Sequence, residues 1–167
     1  MGTGEGADRQ RGEKETAYFA AGCFWGVQAA FDTVAGVIST AVGYMGGRTA
    51  NPTYHDVCTG TTGHAETVQV IFDPADADYT ALLEIFWSIH DPTTKNRQGP
   101  DVGSQYRSVI FFATPEQEAV AKRSRDAIEQ RLGRAVATEI VPAGAFWRAE
   151  EYHQHYFRKQ GRGGCRL

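Results

Sequence analysis

Long hydrophobic runs are missing from this chain of 167 residues. No stretch approaches the roughly twenty apolar residues that a membrane-spanning helix requires. Residues 1–16 are charged and glycine-containing, with no apolar core of the kind a secretion signal uses. A disordered tail over 1–16, no membrane partner and a cytoplasmic location are the expectations. An excess of one charge is lacking too: 17 Lys and Arg face 20 Asp and Glu, for a formal net charge of −3. Without a basic stripe to attract phosphate backbones, nucleic acid is not an expected partner. Cysteine is scarce, with 3 residues at wide spacing. An odd and sparse set excludes a disulfide framework and fits a reducing compartment, where each thiol serves packing or chemistry. No internal repeat and no linker divides the chain, so one domain is expected, large enough to bury roughly 70% of its unfolded surface.

What is present alternates between two periodicities. Ala17 to Ala21 is a short apolar run that reads as a buried strand, after which Phe24, Val27, Phe31 and Val34 recur at helical spacing. Gly36 interrupts the helix, Val37 to Tyr44 returns as a strand, and a loop through Asn51, Pro52, Thr53 and Tyr54 follows. Thr67 to Phe72 is β-prone, and Tyr79, Leu82, Leu83 and Phe86 mark an amphipathic helix that stops at His90-Asp91-Pro92. Residues 93–105 are polar and turn-rich, a length without regular structure that is typical of functional loops. Arg107 to Phe112 is the next strand. Thr114-Pro115-Glu116-Gln117 then supplies a cap, a proline at the first helical position and a capping-box glutamine for a helix running to Gly133. A strand over Val136 to Val141 and a final polar helix over Ala149 to Gln160 complete the map. Strands alternating with helices predict an α+β sandwich with helices covering a mixed sheet, and the ferredoxin-like arrangement is the first choice.

Chemistry concentrates at Gly22-Cys23-Phe24-Trp25-Gly26. A cysteine between a strand and a helix sits where unsatisfied N–H groups and the positive end of the helix dipole favour thiolate. The same cysteine also suits a core position, since a thiol packs as a small hydrophobe. Phe24 shares the apolar stripe of its helix, while Trp25 points roughly 130° from the stripe's centre. Trp25 therefore packs on another element or stands beside the thiol as an apolar platform. Farther along, alternation along the strand puts Glu66 on the face of Val68, Val70 and Phe72. There it is either desolvated, with a raised pKa that makes it a proton donor near neutrality, or a strand-end group that reaches water. Tyr54, Asp101 and Tyr106 are ordinary loop residues unless the fold gathers them at Cys23, where phenols can donate hydrogen bonds to a developing oxyanion.

Together GCFWG at 22–26, GYMGG at 43–47, NPTYHDVCTGTTGHAE at 51–66, HDPTTKNRQGPDVGSQYRS at 90–108 and EEYHQHY at 150–156 resemble the A-type peptide methionine sulfoxide reductases over about residues 17 to 160. The resemblance implies reduction of the S epimer of methionine sulfoxide, free or in proteins, and hence repair of oxidised proteins, on an elaborated ferredoxin-like α+β fold. It also implies roles: Cys23 as nucleophile, Glu66 as proton donor, Tyr54 and Tyr106 as hydrogen-bonding partners of the sulfoxide oxygen, Asp101 in support, and Phe24 and Trp25 around the substrate methyl group. No cofactor is implied beyond an external dithiol, supplied by thioredoxin. Residues 17–160 would form the catalytic domain, and 161–167 a flexible tail whose Cys165 resolves the sulfenic acid, with Cys58 read as a packing residue and as the alternative resolving thiol. The chain departs from the family in having Gly163-Gly164-Cys165, where the family often has Gly-Tyr-Cys, and Ser104 in place of the usual threonine. Two rival readings remain: a hydrolase with Cys23 as nucleophile and an ionised Glu66 as base, and a metal-binding module using His153, His155 and cysteines, which lacks a CxxC pair.

Overall fold

The computed structural model describes residues 13–160. In chain order the elements are β1 (Glu15–Ala21), α1 (Phe24–Asp32), β2 (Val37–Met45), α2 (Tyr54–Cys58), β3 (Ala65–Phe72) and α3 (Tyr79–Ser88). A small hairpin of β4 (Arg97–Gln98) and β5 (Asp101–Val102) precedes β6 (Ser108–Phe112), α4 (Pro115–Leu132), β7 (Glu139–Pro142), β8 (Trp147–Arg148) and α5 (Tyr156–Lys159). Turns of 3-10 helix lie at Ser104–Tyr106 and Glu151–His153.

The main sheet has six strands in the order β7-β6-β1-β3-β2-β8. Its central four, β6-β1-β3-β2, are antiparallel neighbours, and β7 joins β6 in parallel. Both β1-α1-β2 and β3-α3-β6 step over one intervening strand, which is the ferredoxin-like double crossover expected from the sequence. Alternation along the strands sends Ala17, Phe19, Val42, Val68, Val70, Phe72 and Ile110 to one face, where they meet Val27 and Phe31 of α1, Leu82, Leu83 and Phe86 of α3 and Ala121 and Ile128 of α4. Phe19 is fully buried at the centre, stacked on Phe31 at 5.1 Å and tilted against Phe86 at 5.4 Å. A smaller cluster of Ala20, Met45, Ala65, Val109 and Phe111 lies on the opposite face.

Several boundaries differ from the sequence expectation. β1 begins at Glu15, not Ala17, because Glu15 pairs with Phe72. α1 ends at Asp32, and Val34 lies beyond it in a turn that still packs on the core. The loop after Pro52 contains α2, started by a capping box in which the Thr53 hydroxyl accepts from the Asp56 amide and the Asp56 carboxylate from the Thr53 amide. Residues 93–105 are not wholly irregular, since the β4–β5 hairpin lies within them. α4 ends as expected, with Gly133 in the left-handed region. Gln117 bonds to the Ala113 amide and the Thr16 carbonyl, so its side chain ties the helix to β1 instead of closing the box.

The largest correction concerns residues 149–160, which do not form one helix. Gln154 Oε1 accepts from Val42 N at 2.9 Å while Gln154 Nε2 donates to Val42 O at 2.9 Å. The amide side chain completes the edge of β2 like one more residue of strand. His155, with φ of 53°, turns the backbone so that its amide donates to Gln28 Oε1. Side-chain bonds to two different elements outweigh the local helix ladder, leaving a 3-10 turn and the four-residue α5.

Candidate active site

Gly22 lets the chain leave β1 and enter α1: its φ is 98°, and an added Cβ would lie 2.9 Å from Gln98 Cγ. Gln98 in turn bonds to the amide and carbonyl of Asp91, so the loop that carries Asp101 and Tyr106 is held against the backbone just before Cys23. Cys23 is the N-cap of α1 and is partly exposed, and its side chain does not cap the helix. The first amide of that helix is taken from across the sheet: Phe24 N donates to Glu66 Oε1 at 3.1 Å. An acceptor from β3 thus replaces the usual local cap at the turn that carries the cysteine.

Glu66 is 1% exposed, and its other oxygen, Oε2, has no hydrogen-bond partner among the described residues. Burial pushes its pKa up to about 8, against the opposing bond from the Phe24 amide and with a further upward push from Asp101. The carboxyl is therefore a neutral acid at pH 7. Of the two environments the sequence allowed for Glu66, the desolvated one is present. Glu150 is the contrasting case. Burial works to raise its pKa, but the Tyr54 amide at 2.9 Å, its own amide and the Tyr44 hydroxyl at 2.8 Å prevail and hold it below the ordinary carboxylate range. Burial and hydrogen bonding thus push the two carboxyls in opposite directions, Glu66 toward its neutral form and Glu150, bonded to the Tyr44 hydroxyl and the Tyr54 amide, toward its ionised one.

Tyr54, Tyr106 and Asp101 come together around Glu66. Burial first, then the nearby Cys58 thiol, Glu66 and Tyr106, raises the Tyr54 phenol. Burial, Glu66, Asp101, Cys58 and Cys23 raise Tyr106. Both phenols stay protonated and can donate. Cys58, at the end of α2, is exposed and lies beside the Tyr54 hydroxyl, which corrects its reading as a packing residue. Phe24 is 1% exposed within the core cluster and touches Tyr44 and His153. Trp25 is partly exposed, stacks on Tyr156 with centroids 3.9 Å apart, and donates from Nε1 to His153 Nδ1 at 2.9 Å. Cys165 lies outside the described residues.

Glu150 and His153 are the site neighbours that the residue-level reading missed. The signal for both is the segment EEYHQHY at 150–156, whose histidines the sequence offers as metal ligands. His153 and His155 diverge, one bonded to Trp25 and the other to Asp32 Oδ2 at 2.8 Å. Among the described residues no cluster of three His, Cys, Asp or Glu could hold a metal. The hydrolase reading needs an ionised base at position 66, which burial opposes.

A cysteine at a helix N-terminus with a buried acid bonded to the same helical turn is the arrangement of a thiol enzyme. Comparison with known proteins narrows the class. The sequence pattern of the family described as peptide methionine sulfoxide reductase matches residues 15–167. A relative from Methanoculleus marisnigri, peptide methionine sulfoxide reductase MsrA, is 62% identical over 154 residues, which is 91% of this chain and 94% of that protein. The crystal structure of reduced Mxr1 from Saccharomyces cerevisiae superposes with a TM-score of 0.85 at 34% identity, covering 92% of this chain and 89% of that one. Methionine sulfoxide reductase A of Corynebacterium diphtheriae gives a TM-score of 0.82 at 38% identity, covering 93% and 80%. The chain belongs to the peptide methionine sulfoxide reductase family, and it is an oxidoreductase that returns oxidised methionine to methionine. No helix among the described residues is long and apolar enough to cross a membrane.

Proposed function

We propose that the protein reduces the S epimer of methionine sulfoxide, free or in proteins, through Cys23 and Glu66, with thioredoxin as the final reductant. The observation that carries the proposal is the bond from Phe24 N to Glu66 Oε1, which ties a buried neutral acid to the helical turn capped by the cysteine. A sulfoxide sulfur is a poor electrophile until its oxygen is protonated or strongly hydrogen-bonded. Glu66, kept neutral by burial with a smaller upward push from Asp101, supplies the proton, and Tyr54 and Tyr106 donate to the same oxygen. Phe24 and Trp25 receive the methyl group. Cys23 attacks the sulfur and forms an S–S bond; the oxygen, protonated by Glu66, passes from that sulfur to the Cys23 sulfur, and the S–S bond breaks with its electron pair staying on the thioether, so methionine leaves and Cys23 is left as sulfenic acid. A second thiol, assigned to Cys165, then condenses with the sulfenic acid, releasing water and forming a disulfide. Thioredoxin reduces that disulfide by exchange, and no prosthetic group or metal is required.

The test is to incubate the protein with each epimer separately, with and without a thioredoxin system, and to measure methionine. Methionine forms from the S epimer alone, catalytically with thioredoxin and stoichiometrically without it, and Cys23→Ser forms none. Turnover by Cys23→Ser, or equal turnover of both epimers, would remove the assignment.

A further inference from the structure

His153 is 1% exposed in the turn before α5 and belongs to no step of the chemistry above, yet it touches Phe24, Trp25 and Tyr54 together. Its ring lies 4.4 Å from that of Tyr54, 5.2 Å from Phe24 and 5.6 Å from Trp25, and Tyr152 covers it at 4.1 Å. The bond from Trp25 Nε1 at 2.9 Å fixes more than a position. An indole N–H can only donate, so His153 Nδ1 must be the accepting, unprotonated nitrogen, and a neutral ring then carries its proton on Nε2. That Nε2 is buried and has no partner among the described residues.

The arrangement is costly in a way that identifies its use. A buried donor left unmatched is unfavourable, and a phenylalanine in the same cage would avoid the penalty while still packing against the same four rings. What histidine adds at this position is an acceptor at Nδ1, and that acceptor faces Trp25. The indole is then held on two sides, by the bond at its N–H and by Tyr156 stacked on its face with planes 13° apart. Burial lowers the pKa of His153 from its ordinary value, against the attraction of Glu150, so the accepting form is also the form present near neutrality.

We propose that His153, as the Nε2–H tautomer, is a positioning residue that locks the Trp25 indole, and through ring contact the Tyr54 side chain, as the rigid wall of the substrate pocket. The inference rests on the reading of Trp25 as part of that pocket. A wall that receives a methyl group contributes through fixed geometry, so loosening it weakens substrate binding more than the chemical step.

Three forms of the protein test it: wild type, His153→Phe, which keeps ring volume without an acceptor, and His153→Asn, whose side-chain oxygen can stand where Nδ1 stood. Each is assayed for methionine formation with dithiothreitol as reductant, and the indole N–H resonances are recorded by nitrogen–proton correlation NMR, with Trp25→Phe to assign the relevant one. In His153→Phe the KM for methionine sulfoxide rises about tenfold, the size expected from one buried hydrogen bond, with a smaller change in kcat. The Trp25 indole resonance moves in the same variant, and His153→Asn recovers both. A wild-type KM in folded His153→Phe, an unmoved indole resonance, or an Asn variant no better than Phe would overturn the inference. Should His153→Phe fail to fold, the nitrogen shifts of His153 in the wild type decide, since a proton on Nδ1 contradicts the lock. Absence of wild-type turnover would instead sink the reading of the site, while the NMR result would still report on the lock.

Discussion

Glu66 is where the requirements of catalysis and of stability oppose each other. A carboxyl with an ordinary pKa of 4.5 in the unfolded chain and about 8 in the folded one binds more protons when folded throughout that interval. Folding stability therefore falls as pH rises from about 4.5 to about 8, the sign required when the native state holds the extra proton. Glu66→Gln keeps the shape and cannot ionise, so the variant should be more stable than wild type at pH 8 by roughly 3–5 kcal/mol, with little difference at pH 4. Denaturant melts at the two pH values measure this, and a pH-independent difference would mean that Glu66 is not desolvated. Activity falls in the same direction: the wild-type rate should fall as pH rises through about 8. Gln donates a hydrogen bond but no proton, so the variant should lose about a hundredfold or more in rate, as removal of a general acid does. Its disadvantage should shrink above pH 8, where the wild-type acid is itself ionised. The face that Glu66 occupies was legible from alternation along β3. Its lack of a neutralising partner was not, because that depends on what α1 and the residue 91–106 loop bring over it.

At the scale of elements, the sequence exposes what is decided locally and hides what is decided across the molecule. The helix α4 announced itself through Thr114, Pro115 and Gly133, all of which act within one turn of its ends. α2 carries an equally local signal, the Thr53 and Asp56 capping box, blurred by an aspartate where glutamate or glutamine is usual. Residues 149–160 are different. Their polar pattern fits a helix, and the actual path is imposed by Gln154 on the edge of β2 and by His155 on α1, more than a hundred residues earlier. Such bonds have no periodicity to read. Gln154→Leu tests their weight: the Val42 carbonyl keeps the Ala149 amide, but the Val42 amide loses its buried acceptor, so a loss of about 1–3 kcal/mol in unfolding free energy is expected. The same change should raise KM, because Glu150 and His153 lose their anchorage beside Tyr54 and Trp25. A loss of stability with wild-type KM would show that the segment supports the fold and not the pocket.

Across the whole molecule, the topology draws the first and last described elements to one place. Cys23 follows β1, Glu66 lies on β3 opposite Tyr44 of β2, and β8 adds the C-terminal segment to the far side of β2. From there the chain turns back over α1, where Tyr156 meets Trp25, two residues after the cysteine. Cys165 stands five residues beyond Gln160, outside the described residues. Cys58 is the competing thiol, exposed and beside the Tyr54 hydroxyl. The two routes separate cleanly. If Cys165 resolves, Cys165→Ser forms one equivalent of methionine per protein and then stops with thioredoxin present, its Cys23 trapped as sulfenic acid, while Cys58→Ser turns over at the wild-type rate. Mass spectrometry of the wild type after one turnover without reductant should find a Cys23–Cys165 disulfide and a free Cys58. A Cys23–Cys58 disulfide, with sustained turnover by Cys165→Ser, would move the resolving role to α2 and leave the tail without a part in recycling.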